Sequence, residues 1–315
     1  MDVFSVLTPG GYTTIQDEGR FGYQQMGIPV SGVLDAFAFH SANLLVGNTI
    51  NSAVMEITVM GPRLEILSHA DLAVTGAEIG LTLNDQPIET WTSFSAKPGD
   101  ILDIQQVNSG CRAYLAVTGG IDVPQVMGSR STYVGANIGG YQGRLLKSGD
   151  IVKCGQGRHP DRPRQMPADL IPAYPPELTI RAIPGPQDDF FKEGLEVLFQ
   201  SDFMVSTKAD RMGYRLQGPK IKIREGMPKS IISEPTMPGG VQIPADEQPI
   251  ILMVEQTVGG YTKIVTVISV DLPRVAQATP GDTIHFERVS LETAHALYQE
   301  QQKNMEELEN QLTSR

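Results

Sequence analysis

The segment Asp210–Gly218, DRMGYRLQG, sets Arg211 and Arg215 four residues apart around Gly213. Two guanidiniums so spaced can grip a carboxylate or phosphate through planar, bidentate hydrogen bonds; the plainer alternative is two surface arginines. Further along, Ser233–Gln248, SEPTMPGGVQIPADEQ, runs toward Glu255–Lys263, EQTVGGYTK. Polar residues, prolines and glycines between apolar runs are typical of a binding loop. Its candidates for substrate contact are Ser233, Glu234, Gln242, Gln256, Thr257, Gly259, Gly260 and Tyr261. Lys263 follows a Gly-Gly pair and could neutralise an anionic intermediate.

A second set of candidates lies near the N-terminus. Tyr12–Gly32, YTTIQDEGRFGYQQMGIPVSG, carries Gln16, Asp17, Arg20 and Ser31 among glycines at 19, 22, 27 and 32, which let backbone approach a ligand closely. Asp17 and Arg20 could pair with each other or grip a polar substrate. Downstream are Asp35, Asn43 and Asn48. A helix is expected over Val33–Leu45, where Leu34, Phe37, Ala38, Ala42 and Leu45 recur at three and four. Ser31 would cap it, and Ser31 with Gly32 would then offer free N–H groups to an anion or simply close the helix end.

The elements that must position these residues are mostly strands. Before residue 155, Val3–Leu7, Met55–Val59, Leu64–Leu67, Leu72–Val74, Ile101–Ile104 and Ala113–Val117 read as strands, with turns at Asn84-Asp85 and Pro98-Gly99-Asp100. Beyond residue 176, Leu178–Ile183, Ile221–Ile223, Val241–Ile243, Ile250–Val254 and Thr283–Phe286 read the same way. Lys263–Val270 is either a strand or the start of a buried helix, and Leu291–Leu312 is a helix with a narrow apolar stripe of Leu297, Met305, Leu308 and Leu312. Between the halves, Gly155–Pro176 holds six prolines and cannot be a strand interior. The expected division is a first β-domain at 1–156, a proline-rich linker at 157–176, a second β-domain at 177–290 and a C-terminal helix at 291–315. Short phrases recur in both halves: GPRLEI at 61–66 with GPKIKI at 218–223, AKPGD at 96–100 with ATPGD at 278–282, and GGYT at 10–13 with GGYT at 259–262. A weaker copy of the turn is KSGD at 147–150. These echoes suggest two related barrels or sandwiches.

Composition narrows the function. The 315 residues can build two domains, and 32 glycines with 22 prolines favour many turns between short strands. A net charge of −11 argues against a nucleic-acid footprint, although a local basic site for a small anion remains compatible with it. Cys111 and Cys154 are too few for a disulfide framework and read as inert buried thiols. No signal-peptide pattern and no membrane-length apolar run occur, so the expected compartment is the cytoplasm. There is no P-loop, no GxGxxG between strand and helix, no GxSxG elbow and no HExxH, and the five histidines are scattered, so no metal site is expected.

The string TTIQDEGRFGYQQMGIPVSGVLDAFAFHSANLLVGN (Thr13–Asn48) resembles the opening of the allophanate hydrolase subunit 2 family, also called the biotin-dependent carboxyltransferase family. ADRMGYRLQGP (Ala209–Pro219), SEPTMPGGVQIP (Ser233–Pro244) and QTVGGYTKIVTVISVDL (Gln256–Leu272) resemble its second half. The family includes the C subunit of bacterial 5-oxoprolinase, an antagonist of a sporulation-kinase inhibitor, and part of the urea carboxylase carboxyltransferase domain. The resemblance implies a mainly β fold of two cyclophilin-like β-barrel domains with a few helices. It implies a homologous B subunit and an A subunit as partners, with ATP and magnesium shared among them. Together they would convert 5-oxoproline to glutamate, activating the lactam by phosphorylation. Arg20, Arg211, Arg215 and Lys263 are then the candidates for binding developing charge, and Asp17 and Asp35 for acid–base or orienting work. Two other roles stay open: carboxyl transfer to a urea-like acceptor, and a regulator that binds a kinase inhibitor. No biotin-attachment motif occurs in the chain. Thr262 stands where the family has proline after Gly-Gly-Tyr, and the stretch before Gln256-Thr257 lacks the family's acid-Arg pair, so the loop there is expected to differ in shape.

Overall fold

β-Branched and apolar residues alternating with glycine and Gly-Asp turns build two sheets in the structure, a computed structural model that describes residues 1–313. The chain divides into two compact units: Met1–Arg20 with Ser31–Tyr174 and Glu307–Arg315, and Phe21–Val30 with Pro175–Glu306. The fold is mainly β, with four α-helices among the described residues: α1 (Ala36–Leu45), α2 (Lys192–Gln200), α3 (Leu272–Gln277) and α4 (Leu291–Thr313). None of them is long and apolar enough to cross a membrane.

Unit 1 carries a nine-stranded sheet that stays open as a half-barrel. Its spine is the antiparallel pair Ala70–Leu83 and Ile101–Val117, the latter a single strand where two short ones were expected. Gly110, at φ 83°, lies between the two expected runs and lets the strand pass through polar residues without breaking. The core gathers Phe4, Ile15, Ile57, Leu72, Leu102 and Leu115, all fully or almost fully buried. α1 begins at Ala36, three residues later than expected. Asp35 caps it, its Oδ1 accepting from Ala38 N at 3.0 Å. Ser31 instead sits at φ 55° and is buried.

Unit 2 closes on itself. Its strands follow the order Glu177–Pro184, Thr283–Arg288, Asp202–Val205, Gly213–Gln217, Ile250–Leu252, Gly240–Ile243 and Val258–Val267. The last pairs with the first through Ala182–Val267 and its neighbours. Lys263–Val270 is thus resolved as a strand up to Val267, followed by a 3₁₀ turn and α3. An eighth strand, Ser230–Pro235, hangs outside the ring on Val258–Val267 alone. Ile221–Ile223 forms no strand: Ile221 is buried, but the backbone there finds only a single bond to Glu247 O and no ladder.

The three copies of the turn phrase are the same object. Asp100, Asp150 and Asp282 each accept through Oδ2 from the N–H three residues earlier, at 2.8, 2.8 and 2.6 Å, and Gly99, Gly149 and Gly281 each take a positive φ. The proline-rich stretch is not a detached linker. As far as Tyr174 it belongs to unit 1: Gln165 bridges to Thr92, Met166 is buried, and Arg164 Nη1 donates to Leu44 O at 2.7 Å. In α4, Leu308 and Leu312 are buried while Leu297 and Met305 are half-buried. Residues 314 and 315 of the expected helical segment lie outside the described residues.

Candidate active site

A cleft of about 600 Å³ opens on unit 2, a volume suited to a small organic ligand. One wall is the start of Gly213–Gln217 with Asp210 before it; the other is Ser230–Pro235 with the first residues of Val258–Val267. Of the candidates named from sequence, Arg215, Ser233, Gln242, Gln256, Gly259, Gly260 and Tyr261 line it. Two consecutive strands bring them together, because Gly240–Ile243 and Ser230–Pro235 flank opposite edges of Val258–Val267.

The ladder between Gly240–Ile243 and Val258–Val267 slips at one point. Val241 pairs with Val265 but Gln242 pairs with Lys263, so Ile264 is the extra residue of a bulge. The bulge sets Gln242 and Lys263 directly opposite on one face. Gln242 is 3% exposed, and its Nε2 has no hydrogen-bond partner among the described residues. A Cβ at Gly259 would stand 2.4 Å from that Nε2, so glycine there is what lets the amide reach the cleft. Lys263 is anchored at its backbone by Gln187, whose Oε1 accepts from Lys263 N at 2.9 Å and whose N donates to Lys263 O at 3.2 Å. Its Nζ donates to Glu234 Oε1 at 2.6 Å.

Arg211 and Arg215 do not form the twin grip that their spacing suggested. Arg211 is buried and its Nε donates to Glu255 Oε1 at 2.6 Å, whereas Arg215 is exposed on the cleft wall. Asp210 Oδ1 accepts from Met212 N and Gly213 N, which shapes the turn into the wall. Thr257 contributes its carbonyl, accepting from Thr236 N at 2.9 Å and holding the loop beneath the cleft. Glu255 was not singled out from sequence, although it is the one acid between Ile250 and Ile264; that isolation among apolar residues was the available signal.

The N-terminal candidates lie in unit 1, bonded within the fold. Asp17 accepts four hydrogen bonds: from Ser129 Oγ at 2.6 Å, Ser131 Oγ at 2.5 Å and Gly19 N at 2.9 Å on Oδ1, and from Arg130 N at 2.6 Å on Oδ2. Arg20, 1% exposed, lies inside the fold and donates to Ser131 O. Gln16 Nε2 donates to Thr14 Oγ1 and Thr132 O. Asn43 Nδ2 donates to Ile50 O and Ser52 O, and Asn48 ties Asn43, Val117 and Gly119 together. Gly32 packs its Cα against the backbone of Glu18 and Gly19 at a φ of 85°, a spacing that admits no side chain. Asp35 accepts from Tyr174 Oη at 3.2 Å, while its N donates to Tyr114 Oη, which itself donates to Glu56 Oε2 at 2.9 Å. Burial, reinforced by Asp35, pushes the Tyr174 hydroxyl well above its usual range; burial and then Glu56 do the same to Tyr114. Both remain protonated donors. Among the described residues no three His, Cys, Asp or Glu side chains gather to hold a metal ion.

Residues 26–288 match the model of a family described as carboxyltransferase domain, subdomain A and B. The chain is similar to the 5-oxoprolinase C subunit of Escherichia coli (strain K12), 39% identical over 308 residues that cover 97% of each chain. It is also similar to urea amidolyase of Lachancea kluyveri, 37% identical over 98% of this chain but only 18% of that protein. Among solved structures, the crystal structure of the K. lactis urea amidolyase superposes with a TM-score of 0.91 at 36% identity, covering 96% of this chain and 20% of that one.

Proposed function

This chain belongs to the family of carboxyltransferase domains, subdomains A and B, and on that premise we propose that it is the C subunit of a 5-oxoprolinase, acting in the cytoplasm with an A subunit and a homologous B subunit to convert 5-oxoproline to glutamate at the expense of ATP. The observation that carries this reading is the end-to-end match: 97% of this chain aligns with 97% of the E. coli 5-oxoprolinase C subunit.

5-Oxoproline is a small ring with one carboxylate and one amide carbonyl. The amide resists attack because its nitrogen donates into the carbonyl, and donors aimed at the oxygen weaken that resistance. In the proposed arrangement the cleft of unit 2 holds the ring against Gly259 and Gly260. Arg215 and Lys263 balance its carboxylate, and the Gln242 amide donates to an oxygen. Arg211, paired with Glu255, fixes the turn from which the strand bearing Arg215 enters the cleft wall. Asp17, Arg20 and Asp35 keep unit 1 in shape and take no part in the chemistry. A triphosphate needs several uncommitted cations close together, and with Arg211 committed to Glu255 the cleft has, among the described residues, only Arg215 and Lys263 to offer, both already assigned to the ring's carboxylate. ATP therefore fits this cleft poorly, and in this reading the nucleotide and its magnesium ion sit on the partner subunits.

Reconstitution tests the proposal. The chain is purified with its A and B partners and ATP-dependent glutamate release from 5-oxoproline is measured. Release no greater than from A and B alone refutes it. The likeness to urea amidolyase, at 37% identity, favours a second reading: carboxyl transfer between carboxybiotin carried on another chain and a urea-like acceptor. That reading requires carboxybiotin-dependent carboxylation of urea by the chain with its B partner, which the 5-oxoprolinase reading does not.

A further inference from the structure

The two cation–carboxylate pairs beside the cleft have the same length, 2.6 Å, and different character. Arg211 and Glu255 are both buried, their side chains 6% and 9% exposed, so neither end of the pair is open to exchange with solvent. In the second pair the Lys263 side chain is 9% exposed but that of Glu234 is 46% exposed. Glu234 is borne by Ser230–Pro235, the one strand of unit 2 outside the closed ring, paired on a single edge with its register broken between Ser230 and Glu234. The buried cation is rigidly mounted and its counter-ion is not.

Next to this pair stands an unsatisfied donor. Gln242 lies opposite Lys263 in the ladder and lines the cleft, and its buried Nε2 has no partner among the described residues. A buried amide N–H without an acceptor is costly, and a site that leaves one beside an ammonium is complementary to an oxyanion with two oxygens to place. Glu234 Oε1 satisfies the ammonium only.

We propose that Glu234 is a displaceable counter-ion: it holds Lys263 in the free protein and yields that ammonium to an oxyanion of the substrate, which takes Gln242 Nε2 as its second donor. The inference rests on reading the unit 2 cleft as the site of a small anionic substrate. The ligand class is a carboxylate or a phosphoryl group, each of which presents such a pair of oxygens. While Glu234 is seated the Lys263 ammonium is withheld from anions, so the apparent affinity is lowered by the fraction of time the pair is made. The exchange also sets a sign requirement, since a neutral analogue of the substrate would gain nothing by displacing Glu234.

The test is direct binding to the full-length chain by titration calorimetry, with 5-oxoproline and inorganic phosphate as separate probes. Glu234→Gln keeps the shape and removes the charge at an exposed position. It is expected to bind one probe roughly three- to tenfold more tightly than the wild type, the range that a half-exposed ion pair can withhold. In the double variant with Lys263→Met the gain disappears. Should Lys263→Met not fold, the side-chain amide resonance of Gln242 gives the same answer in Glu234→Gln, since it must move when the tighter probe binds. Equal or weaker binding of both probes by Glu234→Gln, a gain that survives loss of Lys263, a stationary Gln242 resonance, or no binding to any variant each overturns the proposal. Which probe binds decides between carboxylate and phosphoryl recognition. Glutamate release plays no part in the measurement. An inactive reconstituted complex therefore counts against the 5-oxoprolinase reading, and unchanged affinities count against the exchange.

Discussion

Arg211 Nε and Glu255 Oε1 meet at 2.6 Å across 44 residues of sequence, with both side chains buried. The pair ties the turn before Gly213–Gln217 to the loop after Ile250–Leu252, and Glu255 N also donates to Arg211 O at 3.1 Å. Removing Glu255 takes away a buried, hydrogen-bonded counter-charge of Arg211. Glu255→Ala is expected to cost roughly 3–5 kcal/mol in chemical denaturation, while Arg211→Met with Glu255→Leu recovers most of that loss. A double variant no more stable than Glu255→Ala would show that the cost lies elsewhere.

Gly259 separates function from folding. A Cβ there meets the terminal amide of Gln242 at 2.4 Å and the Thr236 methyl at 3.2 Å, so the amide must shift, and Gly259→Ala is expected to cost about 1 kcal/mol. The displaced amide no longer reaches the cleft. In the reconstituted enzyme kcat/KM should fall about tenfold or more, the loss of one well-placed donor. Gln242→Leu should match it, and adding Gly259→Ala to Gln242→Leu should have little further effect.

Asp17 was a candidate for acid–base work, and its four hydrogen bonds instead fasten Ser129–Ser131 to the loop at Gly19. Asp17→Ala is expected to cost roughly 2–4 kcal/mol. Amide hydrogen exchange at Arg130 should accelerate, because its N–H loses the Oδ2 acceptor. Substrate affinity should hold in whatever fraction remains folded.

Asp150 gives a pH signature. The hydrogen bonds of Arg144 hold its carboxyl below the usual carboxylate range, with Nη1 and Nη2 donating at 2.7 and 2.8 Å and Lys147 N adding a third bond. A carboxylate whose folded pKa is depressed contributes stability that is complete above its unfolded value, about pH 4, and lost as pH falls through the folded value. Asp150→Asn should therefore be less stable by about 2 kcal/mol at pH 7. Urea denaturation across the acid range should show that gap shrinking only below about pH 4.

Local chemistry was legible wherever it was sufficient. Each of the three Asp-capped turns closes a carboxylate bond to the N–H three residues earlier, so the phrase itself announces the turn. Strand runs such as Glu177–Pro184 and Asp2–Thr8 were legible as alternating or continuous β-branched and apolar residues, although their hydrogen bonds go to distant strands. Ile221–Ile223 carries the same pattern and makes no ladder, because a strand exists only where a neighbour supplies partners. Ser31 and Asp35 are equally good caps by composition. The start of α1 was decided by Tyr114 and Tyr174, which reach Asp35 from 79 and 139 residues away.

The site divides along the same line. By itself the sequence determined a mainly β chain with glycine-rich polar loops, and it contained every side chain that the cleft uses. What only the tertiary structure decided is which of those loops meet and which charges are already answered. Spacing presents Arg211 and Arg215 as equals; burial makes one a fixed half of an ion pair and leaves the other exposed on the cleft wall. The bulge that sets Lys263 across from Gln242, and the strand outside the ring that brings Glu234 to it, are non-local pairings. Their partners are chosen by closure of the barrel and not by neighbours in the chain.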